Sequence, residues 1–188
     1  MPPKTKITKE EIVAAAIELI RESGMPALNA RGLAKKLNSS TQPIFSNYPN
    51  MEKLKADVLL RAKIIYQKHL DEGMKNPAYP PYKASGIAYI SFARQERELF
   101  KLLFMRDRSQ EEITEERSEI EGIIELISAS TGMSPDEAYY FHIEMWVFVH
   151  GIATMIANSY LDWDEETVSC MMTDVYTGLK NNRIKNGE

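Results

Sequence analysis

The sequence predicts an all-α protein, with an N-terminal three-helix helix-turn-helix head followed by a C-terminal helical body. Three observations carry that prediction. Apolar residues recur at three- and four-residue spacing along most of the chain, as at Ile12, Ala16, Leu19 and Ile20, which is the period of a helix with one buried side. Helix start and stop signals punctuate these stretches, and no stretch alternates with a period of two long enough to make a convincing strand. Residues 29–54, NARGLAKKLNSSTQPIFSNYPNMEKL, read as two short helices joined by a tight polar turn, the shape that enters a DNA major groove.

The elements follow in order. Thr8-Lys9-Glu10-Glu11 is a capping box, in which hydroxyl and carboxylate satisfy the orphan amides of a helix start. Gly24 ends that first helix. Helices are expected near 29–38 and 41–48, with Leu33, Ala34 and Leu37 as one apolar edge. In the turn between them Asn38 tolerates left-handed geometry and Ser39-Ser40 supply a capping hydroxyl. Ile44 and Phe45 are expected to face the core, leaving Thr41, Gln42, Ser46 and Asn47 on the polar side. Pro43 falls in the first turn, where its missing amide costs little, and Pro49 ends the helix. A long helix should run from about Asn50 to Glu72, with Leu54, Val58, Ala62 and Ile65 on one side. After the proline-rich loop 76–81 come helices near 82–95, 96–107 and 112–131. Ser134-Pro135-Asp136-Glu137 is a second capping box with proline at the first helical position, opening a helix that could reach Tyr160. Asp162 to Glu166 start a last helix, acidic at its first turn and with Lys180 near its end. The tail from Asn181 is expected to fray.

Composition limits the function. The chain has 188 residues, 44 % hydrophobic and 27 % charged, ordinary for a folded globular protein with a real core. The longest apolar runs, such as Met145 to Val149, are far short of a membrane span, and the N-terminus lacks the apolar core of a secretory signal. With Cys170 as the single cysteine, an internal disulfide is impossible and a cysteine zinc site is disfavoured; a cytoplasmic location is the default expectation. The net charge of −4 is unevenly spread. Residues 1–58 hold nine Lys/Arg against six Asp/Glu, whereas the rest holds fourteen against twenty-one. Because charges act over only about 8 Å in cellular salt, the basic head can attract DNA despite the acidic body. No HExxH, glycine-rich phosphate loop, GxSxG or paired Glu-x-x-His occurs, so neither an enzyme nor a metal or cofactor site is expected. The acidic run Glu111, Glu112, Glu115, Glu116, Glu119 and Glu121 reads as a solvated helix face.

The capped first helix, Gly24, the pattern L-x-x-x-x-LA-x-x-L, the polar turn and I-F-x-x-Y-P-x-x-x-x-L together resemble the tetracycline-repressor (TetR/AcrR) family of transcription regulators. Trp146-Val147-Phe148-Val149-His150-Gly151 is similar to the W-x-F-x-H-G signature of one C-terminal subgroup. The resemblance implies a DNA-binding domain at 1–49 and a ligand-binding, dimerising domain at 50–188. In the family the second helix supports, the third reads DNA, and the fourth connects to the body. Three departures stand out: Asn38 where glycine is usual, Ser39 in place of an aliphatic residue, and Met51 where a lysine usually meets the phosphate backbone. Lys53 or Lys55 is expected to compensate.

By motif position Ser40, Thr41 and Gln42 open the reading helix, toward whose positive end an anion is drawn. Gln42 is the first choice for a base edge, since a carboxamide pairs bidentately with adenine. Thr41 suits a phosphate or a thymine methyl. Ser46, Asn47 and Tyr48 continue the exposed side, with Asn47 and Tyr48 assigned to phosphates or bases, although Tyr48 equally suits the core. Arg31 is placed for a guanine or the backbone, Lys53 for the backbone, and Lys4, Lys6 and Lys9 for added backbone or minor-groove contacts. The plain alternative for each is a solvated surface residue.

One such helix spans few base pairs, so the expected partner is a palindromic operator bound by a homodimer. The expected seam lies in the last two helices, with Tyr140, Ile143, Val147, Gly151, Thr154 and Ala157 on one and Val168, Met171, Met172, Val175 and Leu179 on the other. Aromatic and methionine residues of the body, among them Phe92, Phe104, Trp146 and His150, suit a pocket for a small apolar or amphipathic effector, and suit an ordinary core equally. The expected function is thus a ligand-responsive repressor. The competing expectation is a helical adaptor or small-molecule-binding protein of the same fold that no longer reads DNA.

Overall fold

The computed structural model describes residues 7–107, 109 and 120–186. Its helices are α1 (Lys9–Ser23), α2 (Ala30–Lys36), α3 (Gln42–Asn47), α4 (Met51–Gly73), α5 (Pro81–Gln95), α6 (Arg97–Phe104), α7 (Glu121–Thr131), α8 (Pro135–Ala157) and α9 (Glu165–Asn186), with a short 3-10 turn at Met25–Ala27. No strand occurs among the described residues, so the fold is all-α. Lys4, Lys6, the acidic residues from Glu111 to Glu119 and the helix start expected near 112 lie outside the described residues.

Two compact units form: Met1–Lys68 with Glu96–Arg106, and His69–Gln95 with Asp107–Glu188. In the first, α1 packs on both α2 and α6. Its core takes Ile12, Ala16 and Ile20 from α1, Leu33 from α2, Ile44 from α3, Leu54, Val58 and Ala62 from α4, and Leu99 and Phe100 from α6. The Thr8/Glu11 capping box forms as expected, with the Glu11 amide donating to Thr8 Oγ1 at 3.2 Å and the Thr8 amide to Glu11 Oε2 at 2.8 Å. Arg21 in the last turn of α1 grips Glu96 with Nε and Nη2, at 2.8 and 2.5 Å, and so ties α1 to the start of α6. Burial beyond α1 also dictates Gly32: a Cβ there would stand 2.6 Å from the Ala27 carbonyl oxygen, so α2 lies against the preceding turn only with glycine.

In the second unit α8 is the central helix and packs on α5, α7 and α9. Phe141, Met145, Val149, Ile152, Ala153 and Ile156 bury its inner side. Around Phe141 and Met145 close Ile124 and Ile127 of α7 and, partly buried, Val175, Tyr176 and Leu179 of α9. Ser134 caps α8 with Pro135 behind it, and the reciprocal bonds to Glu137 are made at 3.4 and 2.9 Å. By length and composition α8 is apolar enough to cross a membrane, yet its apolar inner side is used against neighbouring helices, as in the core helix of a globular body.

Two boundaries differ from expectation. Helix α8 stops at Ala157 and not at Tyr160, because Ser159 turns left-handed (φ 56°) and the Tyr160 amide closes back on the Met155 carbonyl. Helix α9 continues to Asn186 instead of fraying from Asn181, and Arg183 Nη2 meets Glu144 Oε2 of α8 at 2.6 Å. A single cross-helix ion pair adds little energy on its own, but it fixes the last turns of α9 on α8.

Candidate DNA-binding interface

The turn before α3 sets how that helix is presented. Asn38 adopts φ 48°, the Ser39 amide donates to Ala34 O at 2.9 Å and the Asn38 amide to Lys35 O at 3.1 Å. These bonds close the end of α2 with the left-handed residue at the position where glycine most often stands; asparagine fills it because its side chain tolerates that geometry. Ser40 Oγ accepts from the Gln42 amide at 3.3 Å, which satisfies a donor that α3 itself leaves open.

With 100° between successive residues, a helix as short as α3 has one inner and one outer flank. Ile44 is fully buried and Tyr48 is 3 % exposed, one turn further on. Gln42 and Ser46 are exposed on the opposite flank, and Phe45, at the side of the helix between the two flanks, is 49 % exposed. Thr41 is half-buried at the entry to the helix, and Ser40 is exposed. Ser46 is exposed and donates its hydroxyl proton to Gln42 O at 2.9 Å, which commits its donor and leaves the oxygen as an acceptor.

This geometry corrects the register expected within α3. Phe45 does not join Ile44 in the core; Tyr48 does. The Tyr48 hydroxyl donates to Asp57 Oδ2 at 2.9 Å, Lys9 Nζ lies 5.0 Å from its ring centre, and burial, followed by Asp57, pushes the phenol up to about 12. Tyr48 therefore leaves the exposed flank. Asn47 likewise turns inward: its amide donates to Pro43 O at 2.8 Å and to Ile7 O at 3.2 Å. The signal was legible in principle, because Ile44 and Tyr48 stand four apart, and a stripe at that spacing is a better helix face than the adjacent pair Ile44 and Phe45.

Arg31 and Lys35 stand one turn apart and exposed on α2, and Lys53 is exposed in the first turn of α4. None of the three makes an ion pair among the described residues. By contrast Lys36 is held by Glu22 at 2.6 Å and Lys55 lies 3.8 Å from Glu52. Met51 is half-buried at the start of α4, and the Lys53 amide is capped by Asn50 Oδ1 at 2.9 Å.

In the second unit, the body residues singled out from sequence separate. Phe92 is fully buried in α5, edge-on to His69 at 5.4 Å. Trp146, 41 % exposed, stacks on His150 at 4.9 Å, and His150 Nδ1 pairs with the Tyr89 hydroxyl at 2.9 Å. A second pair repeats the motif between the same two helices, Tyr82 with His142 Nδ1 at 3.2 Å. Burial lowers both histidines below their ordinary value, so the neutral rings are favoured,. Phe104 belongs to the first unit, packed against Tyr66 and Phe100 at 5.0 and 5.1 Å.

A short helix with an exposed flank, backed by a second helix across a tight turn, is the arrangement of a helix-turn-helix. Residues 82–174 match the model of the tetracyclin repressor-like C-terminal domain. The chain is 19 % identical over 190 residues to the uncharacterized HTH-type transcriptional regulator YobS of Bacillus subtilis (strain 168), covering 99 % of this chain and 98 % of that protein. Among solved structures it is similar to a TetR-like transcriptional regulator from Rhodococcus sp. RHA1, at 14 % identity and a TM-score of 0.65, covering 98 % of each chain. It also resembles a TetR variant from Acinetobacter baumannii AYE in complex with minocycline, at 19 % identity and a TM-score of 0.56, covering 94 % of each. Residues 82–174 thus match the TetR C-terminal domain family, whose regulators are DNA-binding proteins and not enzymes, and the chain shares the fold of the solved TetR-like regulators.

Proposed function

We propose that this protein is a ligand-responsive repressor that binds a palindromic operator as a homodimer in the cytoplasm, with residues 1–49 as the DNA-binding domain and 50–188 as the ligand-binding and dimerisation domain. The observation that carries the reading is the outer flank of α3, where Gln42 and Ser46 stand exposed one turn apart while Ile44 and Tyr48 anchor the helix from behind. Gln42 takes a base edge, with adenine as its bidentate partner. Ser40, Thr41 and Ser46 meet neighbouring bases or phosphates, and Arg31 and Lys53 hold the backbone. Two such helices, on half-sites about 34–36 Å apart, give the length of sequence that one cannot.

The dimer seam we propose runs along the outer side of α8. Tyr140 and Val147 are 63 % and 58 % exposed there, and a Cβ on Gly151 would meet nothing within 4 Å. Apolar exposure beside open room suits close approach of a second copy. The α9 stripe contributes less than its pattern suggested, since Val168 and Met172 are buried and Val175 and Leu179 pack on the Phe141 cluster of the same chain.

The effector is a small apolar or amphipathic molecule, and Trp146 with the Tyr89–His150 pair is the group in the second unit that offers both a flat apolar surface and polar atoms,. A structural neighbour holding minocycline supports a ligand of this kind. Helix α4, with Met51–Lys68 in one unit and His69–Gly73 in the other, is the rod through which ligand binding shifts the reading head,.

One observation favours a different reading, an adaptor of the same fold without DNA reading: Met51 stands where the resemblance implies a phosphate-binding lysine. Mobility shift with the DNA upstream of the protein's own gene, at about 50 and 200 mM salt, separates the two. Sequence-preferring binding that weakens steeply with salt supports the repressor; absence of binding at low salt supports the adaptor.

A further inference from the structure

Helix α4 turns its core side inward through Leu54, Val58 and Ala62, each fully buried. Ala62 stands two residues after Leu60, so a step of about 100° per residue puts the two on opposite sides of the helix. Leu60 and Ile64, one turn apart on that outer side, are 59 % and 50 % exposed. They are the most exposed large apolar side chains among the described residues of the first unit. A single exposed aliphatic residue is ordinary, but a neighbouring pair on one helix face is a stripe with room for a partner.

The spacing is that of a coiled-coil stripe: with Leu60 at position d of a heptad, Ile64 is the next a, Arg61 is e and Lys63 is g,. Ala62 then falls at f, away from the stripe, in agreement with its burial in the core. Arg61 and Lys63 are exposed and make no ion pair among the described residues. The following e position is a third cation, Lys68. Asp57, the preceding a, accepts from the Tyr48 hydroxyl, and Gln67 is the next d, so the apolar stripe is two layers long. A stripe that short binds by its flanks as much as by its centre, and basic e and g positions select acidic ones. A second copy of the chain would set cation against cation in either direction, which disfavours self-pairing. We infer that the outer face of α4 docks an acidic amphipathic helix of a partner protein, its aliphatic residues on Leu60 and Ile64 and its carboxylates on Arg61 and Lys63. This is a protein-binding function beyond the proposed reading of DNA, and it needs no part of α3.

The probes are two labelled three-heptad peptides with Ile at a and Leu at d, one carrying Glu and the other Lys at every e and g. Their binding to the full-length protein is read by fluorescence anisotropy, at concentrations where each peptide alone is monomeric. The acidic peptide should bind about tenfold more tightly than the basic one at low salt and lose that advantage as salt rises. Leu60→Ser combined with Ile64→Ser should weaken the acidic peptide about tenfold or more, since both aliphatic surfaces are lost. Arg61→Glu combined with Lys63→Glu should shift the preference to the basic peptide. All four side chains are exposed, so melting should stay near native in both variants. The charge reversal is the decisive reading, because a merely disturbed helix would lose both peptides and not exchange one for the other. Equal binding of the two peptides, binding of neither, or an unchanged preference in the charge-reversed protein overturns the proposal. Dimers present in native protein but lost in the serine variant, seen by sedimentation, would give this face to a second copy and overturn it as well.

Discussion

Tyr48 and Phe45 divide the labour of α3 between inside and outside. Tyr48 spends its ring on the core and its hydroxyl on Asp57; its burial depends on that hydrogen bond, since an unpaired phenol is costly inside a protein. Tyr48→Phe should therefore lower stability by about 1 kcal/mol in chemical denaturation, with operator affinity within about twofold of native. A large loss of affinity at unchanged stability would return Tyr48 to the DNA-facing set. The inward turn of Asn47 was not legible from residue type, because it is a polar side chain on a helix already expected to show a polar side; that of Tyr48 was signalled only by its four-residue spacing from Ile44. Gln42 and Ser46, unlike them, reach the outer flank that their type suggested.

At the scale of elements, the strongest local signals translate directly into helix ends. Both capping boxes form, and Asn38 closes α2 in the left-handed conformation. Asn38→Ala should cost about 1–2 kcal/mol, because alanine cannot hydrogen-bond locally in that geometry, whereas Asn38→Gly should not destabilise to that extent. Thermal melting of both variants checks the sign. Helix α8 shows where periodicity is ambiguous: apolar residues lie on its inner and outer sides alike, and only packing tells Phe141 from Val147. Val147→Glu should leave the helical content and melting of the chain near native while abolishing dimers in sedimentation, since a charge in an apolar seam is desolvated without a partner. Dimers that persist in this variant would move the seam elsewhere.

For the molecule as a whole, stability should depend on pH through the two tyrosine–histidine pairs between α5 and α8. Burial holds His142 and His150 below their ordinary 6.5, so between the folded value and 6.5 the unfolded chain binds more protons. Their contribution is complete above pH 6.5 and is lost as pH falls through that value toward the folded one. Melting temperature should decline on acidification below pH 6.5, and a His142→Gln, His150→Gln double variant should flatten that slope. The capping carboxylates Glu137 and Asp164, held low chiefly by bonds from Ser134 and Thr167, act in a separate window below their ordinary 4.5 and 3.8. A pH profile with no change between 7 and the carboxylate range would contradict the histidine assignment.

What the residues determine alone is local: helix period, caps, the left-handed turn and the polar character of the segment after it all depend on neighbours within a few positions, and period and capping are chemical properties of short stretches. What required tertiary structure is non-local. Helix α6 returns to close the core of the first unit against α1, far away in sequence. Likewise, the exchange of Phe45 for Tyr48 in that core depends on Asp57 and Lys9, which approach Tyr48 only once the helices have packed. A side chain's burial is settled by what comes to cover it, and that is a property of the assembled fold.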